Sequence, residues 1–409
     1  MQLKERNSRR STKRSNKPNI GIITYVDVGR AGDLPLDNLI ALLNPLAGNI
    51  YLITGADYSN SKHEVKVIRT KAKNRRSLAS KVAEQALVHL RISRILSKLR
   101  HEIEILVFFN GTALTLPLIF ARSFGIRCVI VVTYQGTVPI INAIRESGIR
   151  GKRGELVRLH IQGILERLSY FFANELIVYS PSITDEARLR TYTAKTVVAG
   201  EHFVNFERFR PKNSIEQRDD VVGYVGRLKE EKGVLHFIEA VPEILRERPG
   251  LRFTVIGEGS LRDEIQELLD INHLSESVKL FGWVSHDELP TCLNKFKLVV
   301  IPSYTEGLPN IMLECMACGV PVLATPVGAI RDIIKDGKTG FLLDNNAPAC
   351  IARNVIRAIS SPELESIAEN AYVYVRERFT YARVLETWSE ILSDNLANSA
   401  DRSQIPPGA

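Results

Sequence analysis

Residues 297–325 read KLVVIPSYTEGLPNIMLECMACGVPVLAT. The β-rich run KLVVIP passes through the loop SYTEGLP into a stretch of helical period, and the run PVLAT follows. Pro309 marks the helix start, because its fixed φ suits the first helical turn. Two β-rich runs joined through a helix form a βαβ unit of a parallel sheet. Two carboxylates interrupt the apolar stretch: Glu306 in the loop and Glu314, eight positions later, in the helix. Charges are rarely buried without a partner. At about 1.5 Å of rise per residue, these two reach different parts of one extended ligand roughly 10 Å apart.

The same alternation recurs outward from Asn19. IGIITY, IYLIT, IEILVFF, RCVIVVT and ELIVYS are the expected strands of the first half, with helical segments such as SLASKVAEQALVHLRISRILSKLR and RGELVRLHIQGILERLSYFF between them. VVGYVG, LRFTVIG and VKLFG restart the pattern before KLVVIP and PVLAT. At VNFERFRPKNSIEQRDD, Pro211 and a charged run break both periodicities, which places a linker near residues 211–220. The expected division is a basic disordered arm at 1–18, an α/β domain at 19–212, a second at 218–378 and a disordered tail at 397–409. Two doubly wound domains that present their strand C-terminal ends form a cleft between them, where ligands bind.

Composition narrows the class. The longest apolar runs, such as ALTLPLIFA from Ala113, fall short of the roughly 18 to 20 residues that a spanning helix needs. The first seventeen residues carry seven Lys or Arg and one Glu and run into polar sequence, so a secretory signal is not expected and a cytoplasmic location is. Net charge is +8. A basic arm meets anionic lipid, nucleic acid or solvent; without aromatic interleaving or a base-reading motif, nucleic acid is not expected. Five cysteines give no disulfide framework. Cys315 and Cys318 form CxxC without a second ligand pair nearby, and their apolar helix reads as buried small residues, so no metal is expected.

Residues 223–233, GYVGRLKEEKG, put Gly226, Arg227 and Lys232 between a strand and a helix whose apolar face carries Val234, Ile238, Val241 and Leu245. This is a phosphate site or a solvated charge cluster; cations at a helix N-terminus oppose the macrodipole unless an anion is bound. The strand ending in IGEGS brings Gly257 and Gly259, which allow close backbone approach at the sheet edge.

Across residues 221–345 the order GRLxxxKG, strand-GEGS, PSxxEGLPNIMLECMACGVPVLAT and DGKTGFLL closely resembles the retaining family-4 glycosyltransferases (glycosyl transferases group 1) of the GT-B fold, two Rossmann-like doubly wound domains facing an interdomain cleft. The resemblance implies a nucleotide-diphosphate sugar as donor, a lipid-linked, polysaccharide or glycoprotein acceptor, no cofactor and no metal. It implies that Arg227 and Lys232 bind the donor diphosphate and stabilise it as leaving group, that Glu306 contacts donor-sugar hydroxyls and that Glu314 accepts hydrogen bonds from the ribose. Gly226, Gly257 and Gly259 match turns beside the nucleotide; Gly307, Leu308, Pro309 and Asn310 match the loop and helix start facing the phosphates. It further implies a last helix, at 379–396, crossing back to the first domain with Trp388 as anchor. Fixed cations suit the chemistry, since breaking a sugar–phosphate bond builds negative charge on the diphosphate.

The first half resembles the family in architecture. GRAGD places Gly29 and Gly32 where relatives carry a glycine-rich loop, without the usual adjacent pair. Gln135, in VVTYQGT, stands where many relatives have a His; an amide hydrogen-bonds a sugar but does not titrate, so it is expected to orient. Arg145, Arg150, Lys152, Arg153 and Arg158 precede or enter the helix with Ile161, Ile164, Leu165, Leu168 and Phe172, either a core helix with a solvated face or a surface for anionic membrane. The competing functions are a GT-B sugar-nucleotide epimerase or hydrolase and a non-catalytic sugar-nucleotide-binding protein.

Overall fold

The computed structural model describes residues 17–24, 33–55, 58, 63–70, 78–109, 113–133 and 153–400. Two parallel sheets organise them. The first has the order β3-β2-β1-β4-β5-β6-β7, built from β1 (Ile20–Thr24), β2 (Ile50–Thr54), β3 (Val65–Arg69), β4 (Ile105–Phe109), β5 (Arg127–Val132), β6 (Glu175–Val178) and β7 (Thr196–Val198). The second has the order β10-β9-β8-β11-β12-β13, from β8 (Val221–Val225), β9 (Arg252–Ile256), β10 (Val278–Gly282), β11 (Leu298–Ile301), β12 (Val322–Ala324) and β13 (Phe341–Leu342). Central strands such as IGIIT and ILVFF are buried at every residue, as strands of a parallel sheet covered on both faces must be.

Strand order reverses between β1 and β4 in the first sheet and between β8 and β11 in the second. Neighbouring strands there send their connections to opposite faces, which leaves a crevice at their carboxyl ends. The loops after β8 and β11 carry the GRLKEEK and SYTEGLP stretches, so topology alone brings Arg227, Lys232 and Glu306 to one place.

Helices α1 (Asp33–Leu43), α2 (Leu78–Leu99), α3 (Thr115–Ser123) and α4 (Arg153–Phe172) connect the first sheet, and a short helix, α5 (Pro181–Glu186), follows β6. Helix α4 carries Ile161, Ile164, Leu168 and Phe171 on its exposed side and buries Glu166, Ser169 and Tyr170. It is therefore not the core helix with a polar outer face that its composition allows. Arg145, Arg150 and Lys152 lie outside the described residues, as do the side chains of Arg153 and Arg158.

In the second domain, α6 (Val234–Glu247), α7 (Arg262–Ile271), α8 (Leu289–Leu293), α9 (Asn310–Ala317), α10 (Ile330–Ile333) and α11 (Pro348–Ile359) follow in order. Helix α6 buries Val234, Phe237, Ile238, Val241 and Ile244 along one face. Helix α12 (Leu364–Arg378) leads into α13 (Tyr381–Ala400), which runs past the end expected at residue 396. This last helix reaches the first domain: Tyr381 Oη donates to the Ala41 carbonyl at 3.0 Å, and the fully buried Trp388 donates Nε1–H to the Gly200 carbonyl at 2.8 Å. Residues of the basic arm before Lys17 and the tail after Ala400 are outside the described residues.

Candidate active site

The turn after β8 is shaped from below and from the side. Buried Tyr224 donates its hydroxyl to the Arg227 carbonyl at 2.9 Å, and burial raises its phenol pKa. Gly226 N–H donates to Ile256 O at 3.0 Å and Leu228 N–H to Glu258 O at 2.9 Å, tying the turn to the IGEGS stretch after β9. That tie accounts for the glycines. A Cβ on Gly257, whose φ is +143°, would stand 1.9 Å from Gly226 O, and one on Gly259 would stand 2.2 Å from Leu228 O. The backbone that approaches them is the chain's own.

Arg227 is half-exposed beside Glu231, at 3.6 Å. Lys232 is more enclosed: its Nζ meets Glu306 Oε1 at 2.6 Å, with the two side chains 17% and 10% exposed. Ser303 Oγ donates to the same carboxylate oxygen at 2.7 Å, and Tyr304 N–H bonds Glu231 O at 3.0 Å. The loops after β8 and β11 are thus sewn together around one ion pair.

The loop carrying Glu306 also faces the first domain. A Cβ on Gly307 would fall 2.2 Å from Thr133 O, directly after β5, so this glycine permits a close approach of the two domains. Thr133 is the last described residue before the segment with Gln135, which lies outside the described residues, as do Gly29 and Gly32. Leu308 is buried, and Pro309, with φ −72° and extended ψ, is the N-cap of α9; Asn310 opens the helix. The first N–H groups of an α-helix have no intrahelical partner and serve as anion donors.

Glu314 sits inside α9 and is 8% exposed. Its Oε1 accepts a hydrogen bond of 2.8 Å from His286 Nε2, on the loop after β10. The His286 ring packs on Phe209 with centroids 5.0 Å apart. Sequence reading passed over this histidine. Its loop is fixed locally, since Ser285 Oγ donates to Glu288 Oε2 at 2.7 Å and accepts from the Glu288 N–H at 3.3 Å, but no signal in the sequence marks the ring as facing Glu314.

A second buried polar group also went unread. Tyr179 donates to Glu201 Oε1 at 2.8 Å, and the His202 ring lies edge-on to Tyr179 at 4.5 Å. Burial pushes the Glu201 carboxyl up to about 7 and the His202 imidazole down to about 4, the latter opposed by a hydrogen bond to the Leu308 backbone. A cavity of about 280 Å³ beside them is lined by Tyr179, Ser180, His202, Leu308, Arg378 and Thr387. Nearby, Ser182 donates its N–H and Oγ to Asp332 at 2.9 and 2.8 Å, and Arg331 pairs with Glu186 at 3.1 Å, joining the two domains.

Cys315 and Cys318 are buried free thiols, and burial raises both pKa values, Cys318 to about 12. Among the described residues, no group of three or more His, Cys, Asp or Glu is placed to hold a metal ion.

Residues 205–373 match the family described as glycosyl transferases group 1. Over 263 residues, 60% of this chain and 67% of the other, the sequence is 30% identical to a glycosyltransferase of Methanocaldococcus jannaschii. Over 152 residues it is 36% identical to alpha-D-kanosaminyltransferase of Streptomyces kanamyceticus; this covers 37% of the chain and only 39% of that relative's length. Among solved structures, Anabaena HepE in complex with UDP-glucose superposes with a TM-score of 0.71 at 17% identity, over 92% of this chain and 100% of that one. That likeness shows the fold, two Rossmann-like domains in the GT-B arrangement.

Proposed function

The chain belongs to the glycosyl transferases group 1 family, and on that premise we propose that it moves a sugar from a nucleotide-diphosphate donor to a hydroxyl of a lipid-linked, polysaccharide or glycoprotein acceptor. The observation that carries this reading is the Lys232–Glu306 ion pair at 2.6 Å. It puts a group suited to hold the leaving phosphate within hydrogen-bond reach of a group suited to hold the donor sugar. On this reading the bond to be broken lies between them. Lys232 and Arg227 neutralise charge as it grows on the diphosphate, the opening N–H groups of α9 add fixed dipoles, and Glu314 accepts from the ribose. These groups supply the electrostatic stabilisation without a metal ion. Attack from the leaving-group face, with a donor phosphate oxygen taking the acceptor proton, retains the anomer; Gln135 then orients the sugar.

The test is a thermal-shift panel of UDP-, GDP- and ADP-sugars in EDTA, followed by transfer with the donor it selects. A ligand at 100 times its Kd stabilises by about 2.7 kcal/mol, enough to read. One nucleotide class is expected to raise Tm, and proton NMR of the product to show the donor's anomer. No shift even with magnesium restored overturns the donor reading; an inverted product overturns retention; a shift that needs magnesium overturns metal independence.

We propose further that the protein works at the inner face of the cell membrane, docked through its first domain. No helix among the described residues is long and apolar enough to cross a bilayer. Instead, exposed Leu87 and Leu90 on α2, Leu116 and Ile119 on α3, and Ile161, Ile164, Leu168 and Phe171 on α4 line neighbouring helices, with exposed Arg94, Lys98, Arg122 and Arg167 among them. Apolar residues flanked by cations suit an anionic interface. Full-length protein is expected to float with anionic liposomes at low salt and to stay behind with neutral ones; no co-migration with either removes the docking reading.

A further inference from the structure

We infer that His286 is a positioning residue that holds the Glu314 carboxylate ready for the ribose of the donor. This deepens the donor reading above and rests on it. Glu314 is nearly buried on an apolar helix, and the one hydrogen bond of its carboxylate among the described residues is the 2.8 Å contact with His286 Nε2. With the carboxylate oxygen as the acceptor, Nε2 is the donor of this bond. The bond fixes Oε1 and leaves Oε2 without a protein partner among the described residues, so one oxygen is anchored and the other remains for a diol.

The histidine is itself held on three sides. Its ring lies against Phe209, which is 1% exposed. The residue before it, Ser285, bonds Glu288 through both its hydroxyl contacts, at 2.7 and 3.3 Å. The residue after it, Asp287, pairs with Arg208. Arg208 and Phe209 belong to the segment entering the interdomain linker, where Asn205 Oδ1 accepts the N–H groups of Glu207 and Arg208 at 3.0 and 3.3 Å. A carboxylate oriented in advance loses less rotamer freedom when ligand binds, so the anchor strengthens ribose binding without touching the nucleotide. Because the ribose is remote from the bond that breaks, this help is equal in ground and transition states and is expected in KM, not in kcat.

The experiment measures binding of UDP, GDP and ADP, and of the 2′,3′-dideoxy form of whichever binds, to the full chain and to His286→Ala and His286→Gln. Gln places an amide N–H near the position of Nε2. His286→Ala is expected to weaken the ribonucleotide roughly ten-fold, the equivalent of about 1.4 kcal/mol, to lose nothing further with the dideoxy form, and to be restored by Gln. Its donor KM rises in step while kcat holds. Equal affinity of wild type and His286→Ala for the ribonucleotide overturns the inference. So does an equal loss on ribo and dideoxy forms, which marks a merely structural role. Failure of wild type to bind any of the three overturns the donor reading itself.

Discussion

Lys232→Ala is expected to lower kcat by about a hundred- to a thousand-fold, the scale of removing one fixed donor to charge that develops in a transition state. An exposed ion pair would not justify that magnitude, since surface pairs contribute roughly 0 to 1 kcal/mol. Lys232 differs because it and Glu306 are largely enclosed and sit where the loops after β8 and β11 meet at the strand-order reversal. Water replaces the lost ammonium poorly there, and half-exposed Arg227 screens it little. Glu306→Ala separates the roles. It frees Lys232 from its partner, so affinity for free nucleotide stays level or tightens, whereas transfer falls because the sugar loses its acceptor carboxylate. Steady-state turnover beside calorimetric nucleotide binding checks both. A Lys232→Ala enzyme turning over within about ten-fold of wild type would assign the leaving-group charge to other donors.

The central strands were legible because parallel strands covered on both faces read as unbroken apolar runs, and IGIIT, ILVFF and LVVI are of that kind. Three strands went unread. VKVIR at β3 pairs only with β2, mixes apolar with charged residues without a regular period and is half-exposed or exposed throughout. TVV at β7 and FL at β13 are also edge strands, too short to show a period. An edge strand needs burial on one side only, so its sequence carries less of the fold.

The site divides along the same line. Arg227, Lys232, Glu306 and Glu314 lie in two stretches that the sequence singles out by their order, and the structure brings Lys232 and Glu306 into contact, so that part of the candidate site was readable. His286 joins them only through tertiary packing against Phe209, and nothing in GWVSHDELP marks its ring as facing α9. Gly257 and Gly259 were readable as a close approach but not as to what approaches, since a glycine required by a ligand and one required by a neighbouring carbonyl look alike in sequence. Helix α4 shows the limit of periodicity, which finds an apolar stripe but not the side it faces. Here the stripe of Ile161, Ile164 and Leu168 is outside.

Gly257→Ala is expected to cost about 3 to 5 kcal/mol of stability, from the strain of holding a non-glycine residue in that backbone region together with overpacking of the turn. The contact has no soft partner: the new Cβ meets Gly226 O at 1.9 Å, and Gly257 N–H is tethered on its other side to Gly282 O at 2.8 Å. Relief requires the IGEGS turn to leave the turn after β8, which breaks the bonds from Gly226 to Ile256 and from Leu228 to Glu258. At roughly 2 to 4 °C per kcal/mol for a domain of this size, Tm falls by about 10 °C. Nucleotide binding weakens with it, because Arg227 rides on the displaced turn. Gly337→Ala is the matched control, with φ at +67° and nothing within 4 Å of its Cβ, so it meets the backbone penalty alone, about 1 to 2 kcal/mol. If the two variants melt together, the turns yield more easily than their hydrogen bonds imply, and the glycines of this stretch are then better explained by an approaching ligand than by the protein's own backbone.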